Sequence, residues 1–401
     1  MISIIIPGLI NFFSIPIIKK MIGSESYGEY SLWYSTFFIL IAFFSGWFGV
    51  YIIRFKADFA NPQVHFQNCY LLLKRILLLL LIVSFIGALA ISGNIIFSII
   101  YTLAIGGCTV QNALNSVTQA NFKSRLIVLS ETCRVVTFFL FYLIFLGFST
   151  SHFLEKLFAS LFISYLVSIY ILYTKNDLDI FNRKFEKHPF LARDAYLFGM
   201  PVMLSLLITT SLPFIDKALL ANKFGLSIQG DYQAIFDLIY RSITILFLPV
   251  SATILPHLST AYAGKNYNLI RKIITKAVLY QVAILIISVV LYLLGAWKVL
   301  FSLLSIENGE KYYYVSLLIL VTSFIVQIGV IVQKPFEIMK RTSLLLYYNF
   351  LSFIITTSVL VFIYFKGLPV TYYPIGLFVG YLFYIFLCIF KTFQSYRRGL
   401  I

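Results

Sequence analysis

The sequence predicts an all-α integral membrane protein of about 12 transmembrane helices in two six-helix lobes, and three observations predict it. Of 401 residues, 60% are hydrophobic and only 11% charged, giving a mean hydropathy of +0.93, whereas a soluble domain carries about a quarter charged residues. The apolar residues number about 240, and each bilayer crossing consumes roughly 20, so there is material for on the order of twelve spans. Finally, the longest polar stretch, Thr174 to Asp194, divides the apolar runs six and six. A soluble enzyme, a secreted disulfide scaffold and a coiled coil are excluded.

In chain order the runs fall at 2–18, 30–53, 76–92, 95–117, 126–148, 153–173, 195–220, 231–254, 277–296, 312–333, 344–365 and 374–390. The first is apolar from Ile2 onward with no charged leader or small-residue cleavage site, so it reads as a span and not as a signal peptide. The second stops at Arg54; the third is short and closes at Gly93-Asn94. Spans 4, 5 and 8 carry the polar groups discussed below. After span 9, the segment 297–311 with Trp297 reads as a dip into the interface. The polar stretch sets the domains: 1–174 the N-terminal lobe, 175–194 a cytoplasmic linker, 195–401 the C-terminal lobe.

Sidedness follows from the cations. Alternate loops hold 21 of the 31 Lys and Arg residues, among them Lys56, Lys123, Arg183, Lys272 and Lys334, which places these loops and both termini in the cytoplasm. The formal net charge of +16 is thereby mostly topology and implies no nucleic-acid partner.

The halves echo each other at their starts. Span 1 has Pro7 and Pro16, then Lys20, then Gly28-Glu29-Tyr30; span 7 has Pro201 and Pro213, then Lys217, then Gly230-Asp231-Tyr232. Duplication explains the paired placement. Six spans per half make the repeat parallel, the arrangement in which a substrate lies between two rocking halves. Proline in each first helix is expected to kink it.

Ionisable residues at bilayer depth point to function by default. On span 8, Gln233, Asp237, Arg241 and Thr244 share one face, and Arg241 is about 15 Å in from Asp231 at 1.5 Å per residue. Asp237, one turn before Arg241, can pair with it. Such a pair either locks span 8 to its neighbours or sets a cation in a cavity open to an anion. Glu131 and Arg134 on span 5 pose the same alternative, since Arg134 can also snorkel to water. Span 4 adds Gln111, Asn115, Thr118 and Gln119 on one face, as hydrogen-bonding glue between helices or as cavity lining. Lys20 and Lys217 are expected as matched cations near the outer mouth, and Arg54 as an anchor or a phosphate contact at the inner entrance.

No phosphate-binding G-x-x-x-x-G-K-[ST] motif occurs, the four histidines lack metal-ligand spacing, and the four cysteines form no C-x-x-C pair. Neither a catalytic residue, a cofactor nor a metal is expected.

Certain segments resemble a known family. KKMIGSESYGEYSLWYS after span 1 is similar to the post-helix segment ending in G-x-Y of polysaccharide flippases. GMPVMLSLLITTSLPFIDKALLANKFGLSIQGDYQAIFDLIYR resembles their spans 7 and 8, with Gly-x-Pro, the Asp216-Lys217 pair and Gly-x-Tyr, and LPVSATILPHLSTA, with Pro249, Pro256 and Ser259, resembles the end of their span 8. These are Wzx-type O-antigen or capsule-unit flippases of the multidrug/oligosaccharidyl-lipid/polysaccharide (MOP) exporter superfamily. The chain starts almost inside span 1, without the polar lead usual in the family, so its start is expected to be truncated or misassigned.

The resemblance implies a MATE/MOP-like fold in the bacterial inner membrane. It implies export of an undecaprenyl-pyrophosphate-linked oligosaccharide to the periplasmic leaflet by alternating access, with membrane lipid, an O-antigen polymerase and a chain-length regulator as partners. It carries the cation role onto Arg241, and further onto Arg134 and Lys217. A multidrug cation antiporter of the same superfamily and a membrane-embedded O-unit polymerase are the alternatives; paired acids disfavour the first and short outer loops the second.

Overall fold

The computed structural model describes residues 2–55, 62–148, 151–175, 190–264, 266–306, 309–339 and 341–397. The expected linker 175–194 lies for the most part outside them, as do Lys56 and Arg183. In order the α-helices are α1 (Ile2–Ile41), α2 (Trp47–Phe55), α3 (Pro62–Ser92), α4 (Ile95–Ala120), α5 (Ser124–Phe148), α6 (Phe153–Lys175), α7 (Phe190–Phe224), α8 (Leu226–Ala263), α9 (Tyr267–Leu291), α10 (Trp297–Leu303), α11 (Tyr313–Val332), α12 (Lys334–Ile338), α13 (Thr342–Phe365) and α14 (Tyr373–Arg397). Among the described residues ten helical stretches are long and apolar enough to cross a membrane; the first, Phe12–Ile53, takes in the end of the first expected run and the whole of the second. The eighth expected run falls within α8. The segment after span 9 continues from α9 through a π turn at Tyr292–Ala296 into α10, with Gly295 in the left-handed region (φ 115°).

α3 shows why such helices need a bilayer. Its buried residues Leu72, Ile76, Leu80, Ser84 and Ala88 recur every four positions and form one narrow stripe, while Leu78, Leu79, Ile82, Val83 and Ile86 are exposed. A helix apolar all round with one packed stripe has lipid on its remaining faces. Polar side chains inside the spans are satisfied locally or across helices. On α11, Ser316, Thr322 and Ser323 donate to the carbonyls of Tyr312, Leu318 and Ile319 one turn back, and Gln327 reaches Thr244 of α8 at 3.0 Å.

The described chain falls into two compact units. One comprises Phe12–Leu32 with Ser211–Ile401, the other Ile2–Asn11 with Trp33–Thr210. In the second, α4 packs against α2, α3 and α6, and α5 against α6, around an aromatic cluster of Trp33, Phe37, Phe97, Tyr101 and Phe158. In the first, α11 packs against α8, α9 and α14, and α13 against α14.

The repeat has a structural cause. α1 is broken at Gly23 (φ 80°, ψ 170°), and α7 gives way to α8 at Gly225 (φ 84°); both sit five residues before the glycine of a Gly-acid-Tyr motif and 202 residues apart. Left-handed φ is readily adopted only by glycine. In the same unit the motif glycines meet. A Cβ on Gly28 would overlap the Leu226 carbonyl, and one on Gly230 would overlap the Ser24 carbonyl. Position 24 is the counterpart of 226, as 28 is of 230, so each motif helix touches the other through equivalent residues. Such an isologous crossing is expected of duplicated segments related by a two-fold axis. α7 itself is one continuous helix through Pro201 and Pro213.

Candidate functional site

Among the described residues each compact unit holds a network of charged and polar side chains. In the second unit it is built by α4, α5 and α6. α4 turns Gln111, 2% exposed, and Asn115 toward α5, where both donate to Glu131 Oε1, Asn115 at 2.8 Å. The other carboxylate oxygen, Oε2, takes Arg134 Nε at 2.8 Å. The guanidinium lies over the Tyr165 ring of α6, 5.4 Å from its centroid, and Tyr34 is within electrostatic reach. Arg134 remains 17% exposed. Among the described residues only its Nε edge meets an acceptor, which leaves the two terminal amino groups with their four N–H donors. Those groups form the edge of the guanidinium that binds phosphate in bidentate fashion.

The network of the first unit starts from the glycine crossing. Lys19 Nζ lies 2.9 Å from Asp231 Oδ1 and donates to the Leu304 carbonyl at 2.8 Å. Ser24 donates to the same Asp231 oxygen (2.6 Å) and Tyr312 to the other (3.2 Å). Six residues further along α8, Tyr27 donates to Asp237 Oδ2 (3.0 Å) and Gln233 to Oδ1 (2.8 Å), while Tyr232 donates to Asp216 Oδ2 (2.7 Å). Lys217 is buried and within electrostatic reach of Asp237, Asp216 and Arg241.

Lys19 gives a direct test of this construction. Lys19→Met leaves a half-buried carboxylate without its cation, which costs about 3–5 kcal/mol, whereas Lys19→Met with Asp231→Asn removes both charges. The single variant should unfold well below the wild type in a detergent melting series, and the double variant should recover most of the loss.

The expected site residues thus fall into two groups. Glu131, Arg134, Gln111 and Asn115, read from two helices separately, form one network; Asp237, Arg241 and Lys217 form part of the other. On the span 4 face, Thr118 is buried and donates to the Leu114 carbonyl, and Gln119 is exposed. Lys20 is also exposed, and it precedes Gly23 by three residues where Lys217 precedes Gly225 by eight, so the two lysines are not at equivalent heights. Asp237 has its oxygens taken by Gln233 and Tyr27, with Arg241 in the same electrostatic cluster. Sequence reasoning missed Lys19 and Tyr27. Both had a signal: Ile15, Ile18 and Lys19 share one buried helix face, and Ser24, Tyr27 and Ser31 recur at helical spacing as a polar stripe. Among the described residues no group of three or more His, Cys, Asp or Glu could hold a metal ion.

A family model described as "Polysaccharide biosynthesis protein" matches residues 1–262. A search of the curated proteins finds no match. Among solved structures, the inward-facing conformation of a multidrug resistance MATE family transporter of the MOP superfamily is similar with a TM-score of 0.77 at 16% identity, covering 99% of this chain and 98% of that one. Its outward-facing counterpart gives 0.69 at 16%, covering 99% and 94%. A MOP superfamily transporter from Pyrococcus furiosus, described by the reverse polarity of its binding pocket, gives 0.68 at 16%, covering 99% and 95%. At this identity the likeness is one of fold.

Proposed function

The chain belongs to the polysaccharide biosynthesis protein family, and from that premise we propose that it is a flippase of the Wzx type, moving undecaprenyl-pyrophosphate-linked O-antigen units from the cytoplasmic to the periplasmic leaflet. A member of this family with a MATE-like fold is a multi-pass membrane transporter of polysaccharide biosynthesis and not an enzyme. In the proposed cycle the lobes 1–174 and 195–401 alternate access about the bound unit, with both termini in the cytoplasm of a bacterial inner membrane. Each unit offers cations suited to a diphosphate, Arg134 in one and Arg241 with Lys217 in the other, Gln111, Asn115 and Tyr27 suit sugar hydroxyls, and the polyprenyl tail stays in lipid.

The observation that carries this reading is Arg134: its orientation is fixed at Nε by Glu131, and its terminal amino groups are left for an anion. A cation antiporter needs a carboxylate open to its cation. Here both oxygens of Glu131 and of Asp237 accept hydrogen bonds, and the one carboxylate oxygen of the described networks left without a donor, Asp216 Oδ1, lies within electrostatic reach of Lys217, which favours an anionic cargo.

The test is complementation of a strain lacking this transporter, with lipid-linked units assayed for exposure to a membrane-impermeant reagent. The wild-type chain should restore exposure. Units already on the outer leaflet in the deleted strain, merely unpolymerised, would establish the polymerase reading instead.

A further inference from the structure

Outside both networks, an apolar slot of about 300 Å³ is formed by α9, α11 and α14, its walls made by Ile270, Ile274, Val278, Ile328, Val332 and Ile389. Leu279, which also lines it, is 62% exposed, so the slot opens on a face that meets acyl chains. Among the described residues Arg271 is the one charged residue in the lining, joined by the hydroxyls of Thr275 and Thr392. Arg271, Lys272 and Lys276 are all exposed at this end of α9.

We propose that this slot is a binding site for one anionic phospholipid, with an acyl chain between α9, α11 and α14 and the phosphate against Arg271. Charge complementarity selects the ligand: an apolar wall ending in a guanidinium and two hydroxyls, Arg271, Thr275 and Thr392, matches a chain ending in a phosphate, and basic pockets between membrane helices bind such headgroups. The slot shares no residue with either polar network, so a lipid seated there leaves those networks to the transported unit.

The test uses the full chain purified in detergent and exposed to equimolar dioleoyl phosphatidylglycerol and dioleoyl phosphatidylcholine, with retained lipid counted by native mass spectrometry. Phosphatidylglycerol should be retained over phosphatidylcholine, and Arg271→Gln, a surface change, should reduce that preference about fivefold. Ile274→Trp, which fills the slot, should lower retention of both lipids while gel filtration stays monodisperse. If that variant aggregates, Arg271→Gln decides alone. An unchanged preference in Arg271→Gln overturns the proposal. So does displacement of phosphatidylglycerol by an equal amount of polyprenyl phosphate, which would make the slot a cradle for the transported lipid's tail. Equal competition by inorganic phosphate alone would reject the acyl chain as part of the ligand.

Discussion

Gly230→Ala should fail to accumulate as folded protein. The added methyl group would overlap the Ser24 carbonyl and lie 2.9 Å from the Gly28 amide nitrogen. These are backbone atoms on a crossing helix, which cannot rotate away as a side chain would, so the cost should lie at or above the roughly 3 kcal/mol top of the usual overpacking range. The same crossing carries Ser24 to Asp231 and Gln229 to Ser31 (2.8 Å), so forcing it apart also strips buried polar groups of their partners. Gly87→Ala on α3 is the internal control. A Cβ there meets nothing within 4 Å, and alanine is the better helix former by about 1 kcal/mol. Fluorescence-detected gel filtration of the two variants after heating should separate them clearly, with Gly87→Ala at or above the wild type.

Arg134→Gln should slow translocation by about tenfold or more while the protein remains folded. Each charge-assisted hydrogen bond to a phosphate oxygen contributes roughly 1.5–3 kcal/mol, and every 1.4 kcal/mol is a factor of ten. Because Arg134 also neutralises Glu131, the single variant mixes two effects, and the double variant Arg134→Gln with Glu131→Gln separates them. If the arginine only ties α5 to its neighbours, the double variant recovers both stability and transport; if it reads the diphosphate, stability returns and transport does not. Arg134→Lys keeps the charge but loses the planar fork, so transport by it should fall between wild type and Arg134→Gln.

The spans were legible because hydropathy and loop charge need no tertiary information: the expected runs lie in helical structure, the second and ninth passing into a π turn. The network of α4 and α5 was half legible. The i,i+3 spacing brought Glu131 to Arg134 on one helix, and the polar stripe on span 4 was evident, but only packing shows that Gln111 and Asn115 end on the same carboxylate. On α8 helical spacing pointed to Arg241 as the partner of Asp237, whereas the oxygens went to Gln233 one turn back and to Tyr27, 210 residues away in sequence. Local spacing cannot reveal a donor brought in by a crossing helix. The same limit explains Lys19 and Lys20. Adjacent lysines look alike in a charge count, yet 100° of helical rotation puts one on the packed face beside Ile15 and Ile18 and the other outside it. The repeat was read from prolines and Gly-acid-Tyr, and its physical cause, two glycines that let backbones touch and two that turn the chain, required coordinates.

The most direct measurement is transfer of a fluorescent polyprenyl-diphosphate oligosaccharide across liposomes containing the purified chain, scored by protection from a membrane-impermeant quencher. The account predicts transfer well above protein-free liposomes by the wild type, and transfer at least tenfold slower by the folded Arg134→Gln, Glu131→Gln double variant. Transfer no faster than in protein-free liposomes, or equal rates for wild type and double variant, would contradict it.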